Sequence, residues 1–419
     1  MAIPGLEELP RADLVSVALD YMLSGMIVTR AMLPQIVVRG GDFDLMNQLA
    51  IDEWMGASPI YTGRMRRLMR VEGDDVEAIM KVLQLDVGFV HQYMDVGYRV
   101  IDPQHAEFWL AHCGALIDTE PHGEEQVFGM CHTIEDPTFD ATALATNPRA
   151  RIRPIHRPPR RPAGRDPHCH WTITIDPANA PVGPIALTDR VAQLPLASIP
   201  NERPSGRASD GQRDYAGPFD PTFQLSNLAD DALVAAAREF QIQSHLLICA
   251  SDLALRDRFG ADTARGILTD AWVGASWIAS ERLARICGAA DGIEDLASVL
   301  ALQPMVPPGF ARRVELTDDG VSTELRPVVR GVLDPEHPGW CGLLARGERG
   351  GIEAMVHGVD PRAQVGELTV DDDRVRFDVT LDRAAAPTAE PDAVSLVRVG
   401  MVSGWSFDTT DRVADPVRR

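Results

Sequence analysis

The feature that most limits how this chain can fold is that its second half restates its first. DEWMGASPIYTGRMRRLM, from Asp52, aligns with DAWVGASWIASERLARIC, from Asp270, so that Trp54 falls on Trp272 and Gly56-Ala57-Ser58 on Gly274-Ala275-Ser276. Further on, Val82 matches Val299, and HCGALI at His112 matches WCGLLA at Trp340. FGMCHTIEDP at Phe128 matches EAMVHGVDP at Glu353, and HCHWTITID at His168 matches RVRFDVTLD at Arg374. Matched blocks in the same order define a tandem repeat. A chain of 419 residues suits two domains, each of roughly 150–200 residues. The expected organisation is a first copy over 1–176, a Pro/Gly/Ser-rich linker over 177–228, a second copy over 229–385 and a C-terminal tail over 386–419.

Within the first copy, Leu14, Val17, Ala18, Tyr21, Met22, Met26 and Ile27 recur at helical spacing and predict helix from Ala12 to about Arg39. Further helices are expected after Asp42 or Asp44, through Met65 and Leu68, and from an N-cap at Asp74 along Val76, Ile79, Val82 and Leu83. Another is expected over Val87–Val100, carrying His91. After Pro103 the segments FWLAHCGALI, VFGMCHTI and HCHWTITI are short, apolar and alternating, which predicts strands. The fold class that follows is α+β: two tandem copies of a domain with a helical layer packed on a mostly antiparallel sheet.

Charge narrows the partners. A net charge of −21 argues against nucleic acid, because phosphate binding needs a basic face. The run of Arg149, Arg151, Arg153, Arg157, Arg160, Arg161 and Arg165 is read as a solvated loop before an anion-substrate contact. No basic stretch leads into an apolar segment at the N-terminus, and no apolar run is seen to approach the roughly 18 residues of a bilayer span. The expectation is a cytoplasmic chain with no membrane partner; a homo-oligomer is left open. In a reducing compartment the six cysteines read as free thiols, ligands or nucleophiles.

Three of those cysteines (Cys113, Cys131, Cys169) and seven of the eleven histidines lie between His105 and Asp176. The two copies separate what the fold needs from what a site needs. Cys113 persists as Cys341 and His132 as His357, but Cys131 becomes Val356 and Cys169 becomes Val375. His112 becomes Trp340, and His168 and His170 become Arg374 and Arg376. Strand alternation puts Cys169 with Trp171 and Ile173 on one face and His168 with His170 on the other. Valine at two cysteine positions says that the cysteine face points inward, which packing alone could explain. The concentration of both residue types in one copy points instead to a site.

Thiolates and neutral imidazoles suit zinc, iron or copper, zinc first. His168 and His170 at i, i+2 could share one ion, and His132 stands next to Cys131. The other chemistry is nucleophilic: Cys113 or Cys131 attacks an electrophilic carbon, a histidine such as His91 or His156 takes the proton, and an arginine such as Arg153 holds a substrate carboxylate.

Helices followed by a strand with Cys-His at Cys131, a basic connection and a strand with Cys169 resemble the 4-vinyl reductase domain. The same layout is similar to the L-2-amino-thiazoline-4-carboxylate hydrolase family. The first resemblance implies a zinc beside an organic-ligand pocket, with Cys131, Cys169 and His156 as ligands. Here IRPIHRPPRRP stands where zinc-binding members carry an acidic residue and a further cysteine. The expected function is a hydrolase- or lyase-like enzyme acting on a small organic substrate at a Cys/His site in the first copy, the alternative being a binding or sensing protein with a structural zinc.

Overall fold

The long apolar stretch near the N-terminus forms helix α1 (Arg11–Val38), which is buried on almost every face. Such a helix belongs at a centre rather than on a surface. In length and hydropathy α1 would also suffice to cross a bilayer, where no such run was expected, but 78% of its most apolar window is buried inside the fold. The computed structural model describes residues 1–204, 209–289 and 292–408; parts of the expected linker and tail lie outside these.

Helix α2 (Phe43–Leu68) starts where the Asp42 carboxylate accepts the Leu45 N–H, and it runs unbroken through both helices expected there. Helix α3 (Val76–Leu83) is capped by Asp75 rather than Asp74. No helix spans Val87–Val100: after a turn the chain enters strand β1 (Met94–Asp102), paired antiparallel with β2 (His105–Cys113). Val96, Tyr98 and Val100 favour an extended chain, and their period of two outweighs the apolar content that suggested helix.

Then come α4 (Gly114–Thr119), α5 (Glu124–Phe128), a π-helical turn (Gly129–Ile134) and α6 (Glu135–Leu144). VFGMCHTI is therefore helical, and Cys131 sits on a helix instead of a strand. A short apolar run is compatible with either, and this one continues the helices on both sides of it. Strands β3 (Ala150–His156) and β4 (Cys169–Ile175) complete a sheet of order β1-β2-β4-β3, and α7 (Ala186–Ala192) follows.

The second repeat comprises α8 (Asp230–Phe259), α9 (Ala261–Ile286), α10 (Ile293–Leu302), β5 (Phe310–Leu316) and β6 (Val321–Pro327). It continues with α11 (Trp340–Ala345), α12 (Gly350–His357), β7 (Ala363–Val365), β8 (Thr369–Asp371) and β9 (Arg374–Leu381), and α13 (Asp392–Arg398) lies in the tail. Its sheet runs β5-β6-β9-β7, with β8 also on β9, and all the pairings are antiparallel. Strand order is thus the same in both halves, as an α+β duplication requires.

The halves do not keep separate cores. Helix α1 packs on α8 and α9, α2 packs on α8, and one apolar cluster runs through both repeats. The linker and the tail take part: α7 lies on α2 and α8, while α13 takes the matching place on α9 and α1. This explains Gly-Ala-Ser in both copies. A Cβ at Gly56 would stand 3.0 Å from Leu187 of α7, and one at Gly274 would stand 2.7 Å from the Ala393 carbonyl of α13. Each glycine lets a connecting helix approach the bundle.

Candidate functional site

The alternation read from β4 holds: Cys169, Trp171, Ile173 and Ile175 are buried, and His168 and His170 lie on the other face. Cys113, at the end of β2, caps α4 by accepting the Leu116 N–H. Cys131 reaches the same interior from the π turn, and the three thiols, together with Glu135, lie within electrostatic reach of one another. The structure therefore brings the three cysteines together. Burial pushes the Cys113 thiol up to about 12, with Glu135 adding to the effect, and Cys131 and Cys169 are raised for the same two reasons. Thiols so held are neutral at physiological pH and behave as small apolar side chains rather than as nucleophiles.

The histidines do not join them. His91 is in the core, its Nε2 against the Gln84 carbonyl at 2.7 Å, and burial lowers it to about 4. His132 Nε2 lies 2.7 Å from the Pro158 carbonyl, with its ring stacked on Phe128, and His156 Nε2 lies 3.0 Å from the Pro167 carbonyl. A carbonyl only accepts, so each of these rings carries its proton on Nε2. His170 meets Glu107 at 2.9 Å, and His168 sits beside His112 with ring centroids 6.2 Å apart. Among the described residues no three His, Cys, Asp or Glu side chains are grouped to hold a metal ion. Cys131, Cys169 and His156 are not grouped as a ligand set among the described residues, and His156 turns its Nε2 to a carbonyl.

Five arginines of the run are already engaged within the protein. Arg153 makes a two-toothed pair with Asp140 at 2.8 Å, Arg157 meets Asp136 at 2.5 Å, and Arg160 pairs with Glu120 at 2.7 Å. Arg149 and Arg151 donate to backbone carbonyls of residues 177–180.

Glu135, which lies near the three thiols, also lines a pocket. Its walls include Arg30 and Leu33 of α1, Trp54 of α2, Asp86 and Phe89 after α3, and Glu135 and Phe139 of α6. Behind Thr29 lies Glu53, which accepts the threonine hydroxyl at 3.2 Å. Burial raises Glu53 and Glu135 to about 8, opposed by Thr29 in the first case and by Arg157 in the second. Burial likewise raises Asp86 to about 7, against the Gly88 N–H and the Tyr61 hydroxyl. One carboxyl oxygen of each acid, and Nη2 of Arg30, are buried without a partner inside the protein. Buried polar groups are ordinarily satisfied, so these four atoms keep hydrogen-bonding capacity that the protein itself does not use.

The second repeat lacks this set. Leu14–Tyr21 (LVSVALDY) aligns with Leu233–Phe240 (LVAAAREF). That register places Ile248 at Thr29 and Cys249 at Arg30, while the α2/α9 register places Ala271 at Glu53. Gln303 stands for Asp86: its side-chain oxygen accepts the Met305 N–H as Asp86 accepts that of Gly88. Trp340, replacing His112, stacks on Trp272 with ring centroids 5.9 Å apart. The first repeat keeps ionisable groups where the second has apolar or amide side chains. The signal that singles these residues out is the repeat comparison itself: α1 against α8 for Arg30, α2 against α9 for Glu53, and the segments after α3 and α10 for Asp86.

Architecture and pocket together define a class: a tandem-repeat α+β chain whose repeats share one core, with a mostly apolar cavity in the first that also holds ionisable side chains. No family model, no curated protein and no solved structure matches the chain. The likeness to the 4-vinyl reductase domain thus rests on its residues alone.

Proposed function

We propose that the first repeat is an enzyme active site for a small carboxylate-bearing organic substrate, working by acid–base chemistry at carbon in a lyase- or hydrolase-like reaction. The supporting observation is that Asp86 and Glu135, raised to about 7 and about 8, line one apolar pocket with the unsatisfied Nη2 of Arg30. Two carboxyls poised near neutral pH supply a base and an acid at once. In a β-elimination, ionised Asp86 would take the proton from the carbon beside the substrate carboxylate. Protonated Glu135 would give its proton to the leaving group as the C=C bond forms. Arg30 would hold the substrate carboxylate. The second repeat serves as a structural partner, and a cytoplasmic location accords with six free thiols.

The test is turnover of a panel of hydroxy- and amino-carboxylates, followed by product formation. Asp86→Asn and Glu135→Gln should each lower kcat by about a hundredfold or more. Ligand binding with no turnover by the unmodified chain would leave a binding or sensing protein instead. Because three thiols share one interior, metal content is measured alongside. A stoichiometric ion lost in Cys131→Ser and Cys169→Ser would move the chemistry to the thiols.

A further inference from the structure

The pocket that holds the carboxyls is too small for most ligands by itself. Its volume is about 130 Å³, below the roughly 300–1,000 Å³ of typical small-molecule sites. A second cavity of about 300 Å³ adjoins it, and Thr29, Arg30, Leu33, Met130 and Ile134 line both. The outer cavity is walled by Pro34 and Val37 of α1, Phe43 and Met46 of α2, and Leu396 and Val399 of α13. Its rim is open, with Phe43 43% and Val399 66% exposed. Asn47, His122 and Gln126 are among the polar groups on its wall.

Arg30 stands at the junction. Its Nε donates to Asp118 at 3.1 Å, while Nη2 is buried with no partner. Asp118 is also held by the Tyr93 hydroxyl at 2.9 Å and the Met401 N–H at 2.6 Å, so its charge is spread over three donors. An incoming anion therefore meets an unsatisfied guanidinium N–H, and carboxyls kept neutral by burial do not repel it.

We propose that the two cavities form one bent channel for a monocarboxylic acid with a hydrocarbon chain. The carboxylate lies at Arg30, the carbons next to it in the inner cavity, and the far end of the chain in the outer cavity beneath α13. This assigns a substrate class to the active site proposed above and rests on that reading.

The experiment is calorimetric titration of the full chain with butyrate, hexanoate, octanoate and decanoate at pH 6.5. Affinity should rise with length by up to roughly fourfold per buried methylene. Leu396→Trp, which fills the outer cavity, and Val399→Asp, which puts a charge at its rim, should each weaken octanoate by about tenfold while leaving butyrate unchanged. Val399 is exposed, so its variant folds even if Leu396→Trp does not. Arg30→Gln should weaken every acid but not octanol. Equal affinity across the series, or octanoate binding indifferent to Val399→Asp, overturns the channel. Octanoate bound as described by a chain that turns nothing over removes the enzyme reading and leaves the channel. Turnover that needs Asp86 and Glu135 but is blind to chain length does the reverse.

Discussion

Arg64 of the first repeat donates to both carboxylate oxygens of Glu239 in the second, at 2.7 and 3.0 Å, in the buried interior. The duplication returns the contact: Arg282, at the position of Arg64, pairs with Asp20, at the position of Glu239. Each arginine also binds carbonyls of the segment that follows its repeat, Ala197 and Ile199 for Arg64, Val402 and Trp405 for Arg282. Repeat, linker and tail are thus tied together by one exchanged interaction used twice.

Removing one member of such a pair leaves a buried charge alone, which costs roughly 3–5 kcal/mol. Arg64→Met and Arg282→Met should each lower stability by about that amount in chemical denaturation, with a single transition for the whole chain. Two transitions, one for each repeat, would contradict the shared core.

The glycines that admit α7 and α13 make a second expectation. Gly56→Val and Gly274→Val place a side chain where Leu187 and the Ala393 carbonyl now stand. Overpacking of this kind costs roughly 1–3 kcal/mol. The melting temperature should fall in both variants, and protease cleavage should begin in the segments carrying α7 and α13. Unchanged melting would mean that these helices do not bear on the bundle.

How much of this was open to inspection in the sequence follows from what is local and what is not. The repeat, the α+β class and the inward face of β4 depend on period and order, which a sequence displays. Helix at Cys131 was hidden because GMCHTI is short enough to satisfy either period. The exchanged arginine pairs and the Arg30 pocket depend on which helices meet, and α1 packs across the repeat boundary. The buried acids Glu53 and Asp86 sit among apolar residues whose helical spacing explained the stretch without them.

Thiol reactivity follows from burial. Of the six cysteines only Cys287 is exposed, and burial of its surroundings still raises it to about 11. A disulfide reagent at pH 8 should modify one thiol per native chain, slowly, and all six after denaturation. Rapid native labelling of Cys113, Cys131 or Cys169 would show that the buried cysteine cluster opens.

The acids give stability a direction with pH. Glu53, Asp86 and Glu135 are raised in the fold to about 8, 7 and 8, against roughly 3.9–4.3 when unfolded. Between those values the folded chain holds more protons than the unfolded one, so stability is greatest below about pH 4 for these groups and falls as pH rises toward 7–8. Glu53→Gln, which keeps an acceptor for Thr29, should flatten that fall and raise the melting temperature at pH 8. A steeper fall in the variant would mean that Glu53 is ionised in the native chain.

The central claim is that the first repeat holds neutral-range carboxyls around Arg30 in a ligand cavity. Carbon-13 NMR titration of the side-chain carboxyls, assigned with Asp86→Asn and Glu135→Gln, tests it most directly. Midpoints near 7 for Asp86 and 8 for Glu135 are predicted, both moving when octanoate is added. Midpoints at the ordinary value of roughly 4, unmoved by any carboxylate, would contradict it.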